Sequence, residues 1–180
     1  MRLVATLGFL ACLFGVGCKP SAPVAMRELR IKTLTTPPSE VGIQPSATYP
    51  RVYGVLMDWH FGEQTATIVS MADGHASVYT TTATFGVIGG SGHESVRVAA
   101  TAFVKAAQVH YDEGVPTTEY PYPAPGHTLF YLICFDGVRV IDTNTDAVAD
   151  GTDKRSDLFA AGQRVLTELR SVTERMDKRR

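Results

Sequence analysis

The sequence predicts a single α+β domain. Its core is an antiparallel five-stranded sheet, a three-strand meander plus a hairpin, joined by two long helices in the order βββ-α-ββ-α. Three observations predict it. Five runs rich in β-branched and aromatic residues fall between residues 52 and 142, and such residues fit a pleated, half-buried surface. Asp-Gly pairs at Asp73-Gly74 and Asp136-Gly137 stand between consecutive runs, the strongest short-range hairpin signal. Two longer stretches repeat apolar residues every three to four positions, as one face of a helix requires.

Val52-Tyr53-Gly54-Val55-Leu56-Met57-Asp58-Trp59 is almost continuously apolar, the pattern of a central strand covered on both faces. Phe61-Gly62-Glu63-Gln64 turns the chain, and residues 65–71 form the second strand. Ala72-Asp73-Gly74 turns it again into the third strand, 75–81. A glycine-rich loop follows, from Phe85 through Gly86, Gly89 and Gly90 to Gly92. It leads into a helix over about 93–111, whose stripe is Val96, Ala100, Phe103, Ala107 and Tyr111, with Ser91 as its cap and Glu94 three residues on. Gly114-Val115-Pro116 stops that helix. Pro121, Pro123 and Pro125 keep residues 117–126 out of regular helix, because each lacks a backbone donor. The second hairpin runs over 128–135 and 138–142. Asp150-Gly151-Thr152-Asp153 punctuates the chain, Ser156 caps the last helix, and its stripe is Leu158, Gly162, Val165, Leu166, Leu169, Val172 and Met176.

A length of 180 residues allows one such domain. Hydrophobic residues make up 44% and charged residues 19%, the balance of a folded chain. The net charge of −1 excludes the basic footprint that nucleic-acid binding needs. The only basic gathering, Arg175, Lys178, Arg179 and Arg180, complements the negative end of the last helix.

The first eighteen residues give an address. Arg2 precedes an uncharged apolar run from Leu3 to Val16, too short to span a bilayer but suited to a signal-peptide core. The run ends in Gly15-Val16-Gly17-Cys18. This stretch resembles a bacterial lipoprotein signal, with Gly15 standing where that family usually has Leu. The resemblance implies removal of residues 1–17 and lipid attachment at Cys18, which would hold the protein on a membrane of the bacterial cell envelope. Two other readings stay open: secretory cleavage near Cys18 without lipid, and a translation start at Met26 that would leave the protein in the cytoplasm. Of the three cysteines, Cys12 would leave with the leader, Cys18 would carry lipid, and Cys134 would remain as a small buried apolar residue. Residues 18–50 hold six prolines and read as a flexible tether, in which Met26 to Leu34 could form one or two helical turns or an added edge strand, too short to be stable alone and ordered only where it docks on the domain of residues 51–177.

No residue pattern assigns a catalytic group, a metal site or a cofactor. His60, His75, His93, His110 and His127 show no paired ligand spacing. His110 and Asp112 are close in sequence without forming a recognisable triad. The expected function is therefore non-enzymatic binding of a partner protein or small ligand, over a surface of Trp59, the loop glycines Gly89, Gly90 and Gly92, His93, Tyr120 and Tyr122. Aromatic residues on a proline-stiffened loop offer rigid contact area at low entropic cost. The alternative is a nucleotide or phosphate binder, or an enzyme, using the Gly86–Gly92 loop with His93 and Glu94; the loop lacks the Gly-Lys-Ser/Thr ending of a P-loop. In order of elements alone, residues 51–177 resemble the roadblock, longin and profilin-like modules, which bind partners. Longin domains differ in placing two strands before the helix and three after.

Overall fold

The computed structural model describes residues 22–82, 86–88 and 90–178. One antiparallel sheet organises the molecule. Its strands are β1 (Val52–Phe61), β2 (Gln64–Met71), β3 (Ala76–Thr80), β4 (Gly86–Ile88), β5 (Val115–Thr117), β6 (His127–Cys134) and β7 (Gly137–Asn144). They lie in the order β4-β3-β2-β1-β6-β7-β5. β1 is central, pairing with β2 and β6, and Val52 to Asp58 are all buried. The turns form where the glycines allow them: Gly62, Gly74 and Gly137 have φ of 58, 87 and 131°, a region that costs glycine nothing.

Among the described residues seven strands stand where five are expected. The added pair are three-residue edges, too short for a periodic signal. β4 falls inside the glycine-rich loop and pairs with Ser77 to Tyr79. β5 contains Pro116 opposite Arg139, which an edge tolerates because a strand there needs its donors on one side only.

Two long helices, α3 (Glu94–Val109) and α5 (Ser156–Asp177), cover one face of the sheet. Val96, Ala100, Phe103 and Ala107 of α3 and Leu158, Val165, Leu169 and Val172 of α5 are buried in one core with Val55, Met57, Ile68 and Phe130. Gly162 lets α5 approach closely, since a Cβ there would lie 2.7 Å from the Met57 methyl and 3.1 Å from Phe103. Leu166 is only half-buried at the margin of this core, and the side chain of Met176 lies outside the described residues. At the start of α5 the turn is made by Asp153, whose carbonyl accepts the Ser156 N–H at 3.1 Å and its hydroxyl at 2.6 Å. Ser156 is thus the first helical residue rather than its cap.

The other face carries a helix where the sequence suggests a tether. α1 (Ala22–Thr35) lies across it, and Pro37-Pro38 ends the helix by restricting the residue before each ring. Leu34 is buried among Tyr53, Leu56, Val69, Tyr79, Leu129, Tyr131 and Ile133, with Met26 and Leu29 packed at the margin. Two short helices, α2 (Pro38–Val41) and α4 (Thr145–Ala149), complete the fold. The expected order holds for the meander, the hairpin and the two long helices, and α1 adds a third layer.

Candidate functional site: a guanidinium cage beneath the N-terminal helix

Successive residues of a strand face opposite ways, so Asp58 of β1 points to the α1 side between Met57 and Trp59, which point to α3 and α5. The Asp58 carboxyl is wholly buried in the middle of the sheet. An unpaired charge there would cost several kcal/mol, and Arg30 of α1, 1% exposed, answers it. Arg30 Nε and Nη2 donate to Asp58 Oδ2 at 2.8 and 2.5 Å, and Thr67 Oγ1 of β2 donates to Oδ1 at 2.5 Å. The remaining guanidinium donors reach the proline-rich loop: Nη1 to the Tyr120 carbonyl at 2.8 Å and Nη2 to the Pro121 carbonyl at 3.0 Å. Two rings close the cage, Tyr122 with its centroid 4.4 Å from the guanidinium carbon and Tyr131 of β6 at 5.1 Å.

The cage is fixed by its own bonds. Tyr131 donates to the Pro121 carbonyl at 2.6 Å and packs edge-on against Tyr120 at 5.9 Å, which holds the loop over the sheet. Burial pushes the Tyr131 hydroxyl up to about 12, so it stays a donor. Burial also raises the Asp58 carboxyl, opposed by Arg30 and Thr67. For Arg30 burial works against the charged form, and the Asp58 carboxylate outweighs it, keeping the guanidinium protonated. Beside the cage, between α1, α2 and the β2–β3 hairpin, lies an open groove of about 550 Å³. Leu29, Val41, Ile43, Val69, Met71 and Ala76 give it an apolar lining, and Lys32, Glu40, Asp73 and His75 stand at its rim.

The residues singled out from sequence do not converge. Tyr120 and Tyr122 belong to the cage. Trp59 lies on the opposite face, stacked on Phe61 at 4.8 Å and edge-on to Phe159 at 6.1 Å. The glycine-rich segment is elsewhere again. β4 runs antiparallel to β3 toward Ser77, so Gly90 and Gly92 lie toward the β2–β3 turn, whereas Trp59 sits in the Ala66–Thr80 row at the other end. Gly89 and Cys18 are outside the described residues. His93, exposed, occupies the position before α3 without a side-chain capping bond, so Ser91 is not the cap. Glu94 pairs with Arg97, which also donates to the Ser91 carbonyl at 3.1 Å. A carboxylate already placed at that helix start opposes a phosphate there by like charge.

Two further groups with possible chemistry, His110 and Cys134, are buried. His110 is buried between Glu113 at 3.3 Å and Asp157 at 3.1 Å, while Asp112, its neighbour in sequence, pairs with Arg51. Burial pushes the Cys134 thiol up to about 12, which leaves no thiolate for nucleophilic chemistry near neutrality. Among the described residues no group of three His, Cys, Asp or Glu side chains could hold a metal ion, and no helix is long and apolar enough to cross a membrane.

Sequence reasoning missed Arg30, which it assigned to the tether. The available signal was Asp58, an acid inside an apolar central run that demands a buried cation. Set against known proteins, the chain matches no family model, no curated protein and no solved structure.

Proposed function

We propose that this chain is a lipoprotein of the bacterial envelope, anchored through Cys18, whose α+β domain acts by binding a partner protein or small ligand rather than by catalysis. The observation that carries the binding reading is the outer face of the sheet. It sets an open, largely apolar groove beside a hydrogen-bonded polar cage that Arg30 of α1 fills, and such grooves with a few fixed polar groups are what binding sites use. The likeness in element order to partner-binding sheet-and-helix modules agrees with it and adds no site.

The leader supports the anchor, and α1 supports the longer chain. Met26 lies inside α1 and packs against the outer core, so a start at Met26 would cut into a helix that belongs to the domain. Ala22 follows Cys18 by four residues, which span at most about 14 Å when fully extended. With α1 docked, a lipid at Cys18 therefore holds the domain close to the membrane surface, not at the end of a long tether.

Labelled fatty acid fed to bacteria expressing the chain should be incorporated, and the protein should sediment with membranes. Cys18→Ser should lose both label and sedimentation. Membrane association unchanged by Cys18→Ser would overturn the anchor.

A further inference from the structure

We propose that the cage around Arg30 is a recognition site for an arginine side chain of a partner protein, which α1 fills in cis as a displaceable plug. This deepens the binding reading above and rests on it.

Three observations carry the inference. Every wall of the cage comes from the chain beyond α1: Asp58 from β1, Thr67 from β2, Tyr131 from β6, and Tyr120, Pro121 and Tyr122 from the loop. The bonds that shape it, Thr67 to Asp58 and Tyr131 to Pro121, do not involve α1. The empty cage would thus keep its form, and its chemistry selects a guanidinium. A carboxylate, two carbonyls and two ring faces match a planar cation with several in-plane donors, whereas a lysine ammonium could satisfy only part of them.

Secondly, α1 fits the face incompletely. Arg30 and Leu34 are its only fully buried side chains among the described residues, and Val24 and Ile31 are exposed. The Tyr79 hydroxyl, buried on the same face, lies beside Thr33 yet meets no partner at hydrogen-bonding geometry. A permanently docked helix is better held by apolar contacts than by a buried ion pair, which costs desolvation on both sides.

Thirdly, α1 can leave without dismantling the sheet. Residues 36–51 connect it to β1 and include Pro37, Pro38, Pro45 and Pro50. Neither α1 nor this connection contributes a strand. An incoming segment that placed an arginine in the cage could lay apolar residues into the adjacent groove. Because α1 competes from the same chain at high effective concentration, the site would respond to partners that use both cage and groove.

The test uses the full chain in detergent micelles. In Arg30→Ala, N-acetyl-arginine amide should raise the melting temperature saturably, and N-acetyl-lysine amide should not; the wild-type protein, with its cage filled, should respond to neither. A fluorescent peptide of residues 22–36 should bind wild-type protein by displacing α1, and the same peptide with Arg30→Lys should bind at least about tenfold more weakly. Equal responses to the arginine and lysine compounds would overturn the recognition site. Arginine selectivity in the variant with no peptide exchange in the wild type would overturn displacement. Should Arg30→Ala fail to fold, the peptide comparison on wild-type protein decides alone. None of these readouts depends on Cys18, so failure of the site and failure of the anchor are distinguishable.

Discussion

Replacing Arg30 by Met keeps a shorter, unbranched apolar stem and removes the cation that faces Asp58. If α1 stayed in place, the uncompensated carboxylate would cost about 3–5 kcal/mol. The helix has another way out. Apart from Arg30 it is held mainly by Leu34, whose full burial contributes about 1.5–3 kcal/mol, with smaller contributions from the half-buried Met26 and Leu29. Against this stands the entropy of ordering fourteen helical residues, about 1–2 kcal/mol for each backbone unit, partly offset by the helix's own hydrogen bonds. Lifting α1 re-solvates Asp58, so opening of the helix limits the loss. In Arg30→Met we therefore expect amide exchange over residues 22–35 to lose protection and proteases to cut between residues 36 and 50. Trp59, the single tryptophan, sits on the opposite face. Its fluorescence should still report one cooperative urea transition, lowered by no more than about 3–5 kcal/mol. The double variant Arg30→Met with Asp58→Leu should recover most of the loss, because replacing both members of a buried pair is often neutral or stabilising. Full protection of α1 in Arg30→Met, with stability unchanged, would refute the argument. A double variant no more stable than the single one would refute it too.

Two further predictions concern α5 and its start. Leu169→Ala, at a fully buried position, should cost about 2–5 kcal/mol in urea unfolding. Leu166→Ala, half-buried one turn earlier, should cost about 1 kcal/mol or less, and equal losses would show that the buried stripe of α5 is misplaced. Asp153 is bonded through its carboxylate to the Arg155 side chain and backbone N–H, which holds its pKa down to about 2. A depressed folded-state pKa gives stability that is present above the ordinary carboxyl range and lost as pH falls through about 2. Asp153→Asn should therefore lower stability at pH 7 by no more than about 2 kcal/mol. It should flatten the decline between about pH 4 and 2, a change that acid titration of the melting temperature would register or exclude.

The parts of the fold legible in the sequence are those specified locally. Asp73-Gly74 and Asp136-Gly137 make turns because Gly74 and Gly137 adopt positive φ. The stripes of α3 and α5 are legible where Phe103 and Leu169 each face one core, while Tyr111 falls beyond the end of α3 and Leu166 only at the margin. α1 is legible only as a docking segment of one or two turns over Met26 to Leu34, although Met26, Leu29, Arg30 and Leu34 follow helical spacing, because the position that should be most apolar carries a guanidinium. The compensating charge lies 28 residues away on β1, beyond any window that periodicity inspects. Residue type groups Trp59 with Tyr120, while strand alternation places Trp59 on the face opposite its neighbour Asp58. Each charge taken alone is an anomaly, an acid inside an apolar strand and an arginine at a core position of a short helix. Neither is tolerable in a buried setting without an opposite charge. Read as a pair, they require α1 to lie across β1 with Arg30 over Asp58, and that requirement locates both the third layer and the cage.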